Sequence, residues 1–149
     1  MPLKKHEIEE IKIKLAEQIR TVYGQEAYDH LRLNNGVSFA AVDDKKVIGF
    51  ISIFWEKLPH LSEKLSGAYI NIIEVDHNYR RQGIAKELIN KCIEAAKAEG
   101  CYQLRSWSSE DKIEAISMWK KLGFGLHPQT IISSKTKQKV NGYFVTKPL

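Results

Sequence analysis

The chain has 149 residues, of which 43 % are hydrophobic and 28 % charged, with a formal net charge of +5. This suits one domain over 1–149 with a real core and excludes wholesale disorder. No apolar run is long enough to span a bilayer, the basic start MPLKKHEIEE has no apolar block behind it as a signal peptide would, and two cysteines are too few for a metal framework.

Cys92 and Cys101 read as reduced core thiols of a cytoplasmic protein with no metal and no membrane contact. Residues 5–22 carry Ile8, Ile11, Leu15, Ile19 and Val22 at steps of three and four, the spacing of an amphipathic helix that Gly24 ends. A short second helix fits 25–33 and stops at Asn34-Asn35-Gly36. Residues 37–42 and 47–55 read as a hairpin around a polar turn, the second strand apolar enough to be buried on both faces. A polar loop over 57–66 holds Pro59 and His60. In the strand at 68–75, simple alternation puts Tyr69, Asn71, Ile73 and Val75 on one face and Ala68, Ile70, Ile72 and Glu74 on the other. A helix over 82–99 carries the stripe Ile84, Leu88, Ile89, Cys92, Ile93 and Ala96, and Gly100 caps it. A strand at 102–107, a helix at 111–122 closed by Gly123-Phe124, and strands at 125–133 and 139–147 follow. The stretch Lys135-Thr-Lys-Gln-Lys139 reads as a solvated hairpin tip. The fold class is therefore α/β, a mixed central sheet with antiparallel hairpins at both ends and one strand-helix-strand crossover between them.

Chemistry concentrates at 72–86, where a hydrophobic strand ends and a basic, Gly-containing loop opens a helix. The first helical turn has backbone N–H groups without partners, and the helix dipole adds positive potential. Phosphate is the anion that best matches both. Gly83 allows an oxygen to approach the backbone, Ala85 is small, and Arg80, Arg81 and Lys86 add full charges. On these features alone a helix start that happens to be basic fits as well. The loop is neither a Walker loop nor a dinucleotide fingerprint. The net charge of +5 would suit a polyanion. No aromatic residues interleave with a basic strand pattern, however, so nucleic acid is not the expected partner.

The segment Val75-Asp-His-Asn-Tyr-Arg80-Arg-Gln-Gly83-Ile-Ala85 resembles the acetyl-coenzyme A motif of GNAT acetyltransferases, with Arg80, Gly83 and Ala85 at its defining positions. Ala115-Ile-Ser-Met-Trp119-Lys-Lys-Leu-Gly123-Phe124 is similar to the family's late helix, which ends in Gly-Phe. The resemblance covers roughly residues 37–124. It implies a GNAT-like fold and N-acetyl transfer from acetyl-CoA to a primary amine of a small molecule or a peptide. It also implies that Arg80, Arg81, Gln82, Gly83, Ile84, Ala85 and Lys86 hold the pyrophosphate, and that main-chain groups of Ile73, Glu74 and Val75 hold the pantetheine arm. A backbone N–H near Val75 is implied to polarise the thioester carbonyl. Relatives usually begin with a strand, whereas this chain reads as starting with a helix.

The acceptor amine must lose a proton, since an alkylammonium has a pKa of about 10.4. Glu74, at the carboxyl end of the central strand, is the first candidate base. Asn71 and Tyr69, on the opposite face, are candidates for ordering a water. In many relatives a tyrosine on the late helix protonates the leaving thiolate; here the aligned residue is Trp119, with Lys112 or its neighbours where an asparagine often stands. That leaves Tyr143 or Tyr102 for the tyrosine's role. His77, His60 and Glu56 read as solvated loop residues, and Trp55, Trp107 and Trp119 as core or as lining of an acceptor pocket. A competing reading is a non-catalytic acyl-CoA-binding regulatory module. The apolar C-terminal strands suit a homodimer.

Overall fold

The computed structural model describes residues 6–58 and 62–149. It begins with a strand, β1 (His6–Glu10), where three-and-four spacing predicts a helix. His6 and Ile8 are half-buried while Glu7, Glu9 and Glu10 are exposed, so the governing period is two. Ile8 and Ile11 match a helical step only because the strand is short and the chain turns after it. The helix α1 (Ile13–Tyr23) follows, then α2 (Gln25–Asp29), which ends four residues before the expected 33. The remaining elements are β2 (Gly36–Asp43), β3 (Lys46–Leu58), β4 (Ser62–Val75), α3 (Ile84–Ala98), β5 (Cys101–Ser109), α4 (Ile113–Lys121), β6 (Gly125–Ile132) and β7 (Lys139–Pro148). All seven strands form one sheet in the order β1-β2-β3-β4-β5-β7-β6. Only β4 and β5 pair in parallel, through the α3 crossover. Among the described residues, no helix is long and apolar enough to cross a membrane.

Each face of the sheet has its own core. Ile11, Ala16, Ile19, Ala27 and Leu31 close over Ala40, Val47 and Phe50 on one side. Ile84, Leu88, Ile89, Cys92 and Ala96 of α3, with Trp119 and Phe124, close over Ile51, Ile53, Ala68, Ile70 and Leu104 on the other. The centre of β3 is thus buried on both faces, from Val47 to Ile53, as its unbroken apolar run implies. Both cysteines are buried free thiols, and burial pushes the Cys92 thiol far up. Leu88 is 0 % exposed at the middle of the α3 stripe. Leu88→Ala is expected to cost about 2–5 kcal/mol in a denaturant titration. That corresponds to a fall in Tm of roughly 4–20 °C, and a loss below about 1 kcal/mol would contradict this packing.

The 57–66 segment is not simply a loop: β3 continues to Leu58 and β4 starts at Ser62, with Lys57 opposite Ser66. Polar composition did not preclude a strand here, because its main-chain hydrogen bonds are met by the neighbouring strand. Pro59 and His60 lie outside the described residues. A second correction bears on function. The β3–β4 register runs Ser52↔Ile72 and then Ile53↔Ile70, so Asn71 is an extra, bulged residue. One such residue reverses the alternation beyond it. Ile73 and Val75 therefore join Ala68 and Ile70 on the α3 side. Ile72 packs on the α1–α2 side. Glu74, opposite Phe50 of that same core, shares its face, as does Tyr69 opposite Phe54.

Candidate functional site

The turn after β4 is built to present backbone N–H groups. Asp76 caps a short 3-10 turn by accepting from the Asn78 N–H at 2.9 Å, and its own N–H donates to the Ile48 carbonyl at 2.8 Å. Arg81 (φ 62°) and Gly83 (φ 81°) then both adopt left-handed conformations. Alternating left- and right-handed residues turn successive N–H groups into one concavity. No side chain caps the start of α3, so the N–H groups of its first turn face outward with only the dipole behind them. Ile84, 1 % exposed, anchors this turn in the core. Gly49 lets it sit close: a Cβ there would stand 3.3 Å from the Ile84 Cγ2 and 3.1 Å from the Glu74 carbonyl. Arg80 donates through Nε to the Val75 carbonyl at 3.2 Å. Arg81 and Lys86 are exposed, and the Arg81 guanidinium comes no closer than 3.7 Å to Glu114. Donors, charge and open space here all fit a pyrophosphate.

Beside this turn the sheet opens. The parallel β4–β5 register runs from Ser66↔Cys101 to Tyr69↔Arg105 and ends there. Past that point β4 stays with β3 and β5 stays with β7. A bridge at the apex is the Ser106 hydroxyl, which donates to the Ile70 carbonyl at 3.0 Å. Near the end of β4, the Glu74 carbonyl and the Asp76 N–H face β3. By alternation, the main-chain groups of Ile73 and Val75 face the opening instead. Of the three main-chain positions expected to hold a pantetheine arm, Ile73 and the Val75 N–H are thus available, while the Val75 carbonyl is engaged by Arg80 and Glu74 faces β3.

Over the opening, on the α1–α2 face, stand Tyr69, Asn71 and Glu74. Glu74 is exposed. The Asn71 amide nitrogen donates to the His30 carbonyl at 2.5 Å, tying the bulge to the segment after α2. Tyr69 packs on Phe54 with ring centroids 5.4 Å apart and has the Arg105 guanidinium 5.9 Å from its ring. Arg105 is itself held by Glu56 at 2.5 Å. Burial pushes the Tyr69 phenol up, nearby Glu56 adds to this, and Arg105 opposes it. Tyr23, at the end of α1, donates to the Val47 carbonyl at 3.0 Å. Its phenol is pushed up to about 12 by burial and then by Asp76 and Glu74. Lys135, in the β6–β7 tip, pairs with Glu26 of α2, so the tip is tied across to this same face.

Other candidates separate. Trp119 is 2 % exposed, and its indole N–H donates to the Ser108 hydroxyl at 3.0 Å. It is a structural residue with its only proton engaged. Trp119→Phe is expected to cost about 1–3 kcal/mol in stability, from the lost bond and a stranded Ser108. Any acyl transfer should change by less than about threefold; a larger fall would return Trp119 to the chemistry. Tyr143 pairs with Ser108 and lies on the α3–α4 face, across the sheet from Glu74 and Asn71. Tyr102 sits at the other end of β5, away from the opening. His77 is exposed, and Lys112 precedes α4 without capping it by its side chain. Sequence reasoning missed Arg105 altogether and took Glu56 for a loop residue. Only the ion pair from Glu56 on β3 to Arg105 on β5, across β4, brings them to Tyr69.

A family model described as the acetyltransferase (GNAT) family matches residues 6–124. An uncharacterized N-acetyltransferase of Methanocaldococcus jannaschii is 37 % identical over 79 residues, covering 53 % of this chain and 34 % of that one. N-alpha-acetyltransferase 30 of Saccharomyces cerevisiae is 29 % identical over 91 residues, covering 59 % of this chain and 51 % of that one. The chain thus spans about a third to a half of the length of these relatives. Among solved structures, Arabidopsis thaliana NAA60 in complex with a bisubstrate analogue superposes with a TM-score of 0.78 at 20 % identity, covering 96 % of this chain and 97 % of that one. The same protein in complex with acetyl-CoA also gives 0.78, at 18 % identity, with 97 % and 98 % covered.

Proposed function

We infer that this chain, which belongs to the GNAT acetyltransferase family, transfers an acetyl group from acetyl-CoA to a primary amine, with the α-amino group of a peptide as its best-suited acceptor. The observation that carries this is the opening of β4 from β5 directly beside an uncapped, basic helix start. In this reading, N–H groups of Gly83 to Lys86, with Arg80 and Arg81, hold the pyrophosphate. Main-chain groups of Ile73 and Val75 hold the arm that leads into the opening. Acetyl-CoA, when bound, supplies a thioester carbonyl carbon as the electrophile. The Val75 N–H is the donor placed to polarise that carbonyl. Glu74 takes the amine's proton through water, as the ionisable carboxylate on the acceptor face.

Two considerations favour an α-amino acceptor. At pH 7 roughly one α-amine in ten is already neutral, against about one alkylamine in 2,500, given ordinary pKa values of about 7.7–8.0 and 10.4. A site whose candidate base is an exposed carboxylate is better matched to the former. The name of the yeast relative points the same way.

The test is thermal unfolding with and without acetyl-CoA, followed by coenzyme A release with a peptide and amine panel. A rise in Tm and turnover of free-N-terminal peptides are expected. No rise would remove the reading. A rise without turnover of any amine would favour a non-catalytic acyl-CoA-binding module, to which Trp119 at the usual tyrosine position lends some support.

A further inference from the structure

Three buried polar side-chain atoms have no hydrogen-bond partner among the described residues: the Asn71 Oδ1, the Arg105 Nε–H and the Trp107 indole N–H. All three lie on the two strands that part beyond Tyr69 and Arg105. Asn71 is the bulged residue of β4, and its nitrogen is spent on the His30 carbonyl, so its oxygen is left as a bare acceptor. Arg105 stands opposite Tyr69 at the last β4–β5 pair. Trp107, two residues on, shares its face and packs against Gly142, where a Cβ would come within 2.7 Å of the indole. Buried polar groups are partnered in the great majority of cases. Three orphans on the strands that part here leave one acceptor and two donors open to a ligand's polar atoms.

The set is bipolar, with one acceptor on β4 and two donors on β5. Glu56 already balances the Arg105 charge at 2.5 Å, so the donor side suits a neutral carbonyl better than a carboxylate. A peptide N-terminus carries both complements, an amine N–H and, one carbon further on, a carbonyl oxygen. A lysine side chain or a polyamine has the N–H but only methylenes beside it. We propose that Asn71, Arg105 and Trp107 are the specificity-determining residues for the acceptor: the Asn71 Oδ1 takes an N–H of the amine, and the Arg105 Nε–H and Trp107 indole N–H take the carbonyl oxygen of the peptide's first residue. This rests on the acetyl-transfer reading above.

The test compares a tetrapeptide-amide library carrying all twenty first residues with butylamine and with free amino acids, using acetyl-CoA as donor. The best peptide amide is expected to exceed butylamine and its own free amino acid by on the order of 10²-fold in kcat/KM. Trp107→Phe keeps the ring and removes the donor. It should lower kcat/KM for that peptide about tenfold and that for butylamine by much less. A second readout does not depend on turnover: the indole N–H resonance missing from Trp107→Phe should shift when the peptide amide is added to the natural protein with coenzyme A, and not with butylamine. Butylamine turned over as well as the peptides, an equal loss on both in Trp107→Phe, or an unmoved indole resonance would each overturn the proposal. Turnover of no probe at all would instead remove the transferase reading, and this inference with it.

Discussion

Combining Gly83→Val with Arg81→Glu is expected to abolish the protection that acetyl-CoA gives against thermal unfolding. At a ligand concentration about 100 times its Kd, the natural protein should gain about 2.7 kcal/mol. For a chain of this size that is a rise in Tm of roughly 5–11 °C. Gly83 has φ 81°, and a Cβ there would meet nothing within 4 Å, so the objection to valine is conformational rather than steric crowding by neighbours. A β-branched residue in the left-handed region costs about 1–2 kcal/mol. The turn would relieve this by returning to negative φ, which swings the first N–H groups of α3 out of their concavity. Arg81 is 89 % exposed, with only a distant ion pair to Glu114, so its reversal leaves the fold alone and replaces attraction for phosphate by repulsion. If binding weakens by on the order of 10²-fold, the protection remaining at the same concentration is about 0.4 kcal/mol, or roughly 1 °C. An equal rise in both proteins would mean that the phosphates bind elsewhere.

The same turn was legible in the sequence because everything it needs is local. A strand end, a glycine and a run of cations within a few residues specify an uncapped helix start without help from the rest of the chain. The strand β3 and the helices α3 and α4 were legible for a related reason: their burial leaves long apolar patterns. What failed was where the pattern was short or interrupted. In β1, Ile8 and Ile11 mimic a helical step, and only pairing with β2 decides for a strand. In β4, alternation was read straight through Asn71, and the bulge there exchanges the faces of Ile72, Ile73, Glu74 and Val75. A bulge is set by the partner strand's register, which one segment cannot reveal.

The distinction between local and paired features also explains the acceptor side. Arg105 of β5 meets Tyr69 of β4 and Glu56 of β3 only because β4 pairs with β5 on one side and β3 on the other. Asn71 acquires a directed oxygen only because its nitrogen reaches the His30 carbonyl beyond α2. A helix terminus writes its requirement into adjacent residues, whereas a recognition surface between diverging strands is assembled from distant ones. The basic helix start was therefore legible in the sequence, whereas the grouping of Tyr69, Asn71, Glu56 and Arg105 was not.

Glu74→Gln is expected to lower kcat/KM for a peptide amine by on the order of 10²-fold at pH 7, the usual scale of general-base assistance. The substitution is nearly isosteric at an exposed position, so Tm should stay within about 2 °C. The pH dependence carries the diagnosis. Without a proton acceptor, only amines that are already neutral react, and their fraction rises with pH until the α-amine pKa of about 7.7–8.0 is passed. The variant's rate should therefore climb through that range while the natural protein's climbs less. The two should converge to within about threefold by roughly pH 9.5, where nearly every α-amine is neutral. An alkylamine, with its pKa of about 10.4, would show no such convergence below pH 10. A constant ratio across the whole range for the peptide would mean that Glu74 acts through its field on the opening or on the Tyr23 phenol beside it, and not by taking the proton. The bulge makes the first outcome the expected one: by reversing the alternation at Asn71, it sets Glu74 on the α1–α2 face with Tyr69 and Asn71, the face proposed for the amine, rather than beneath α3.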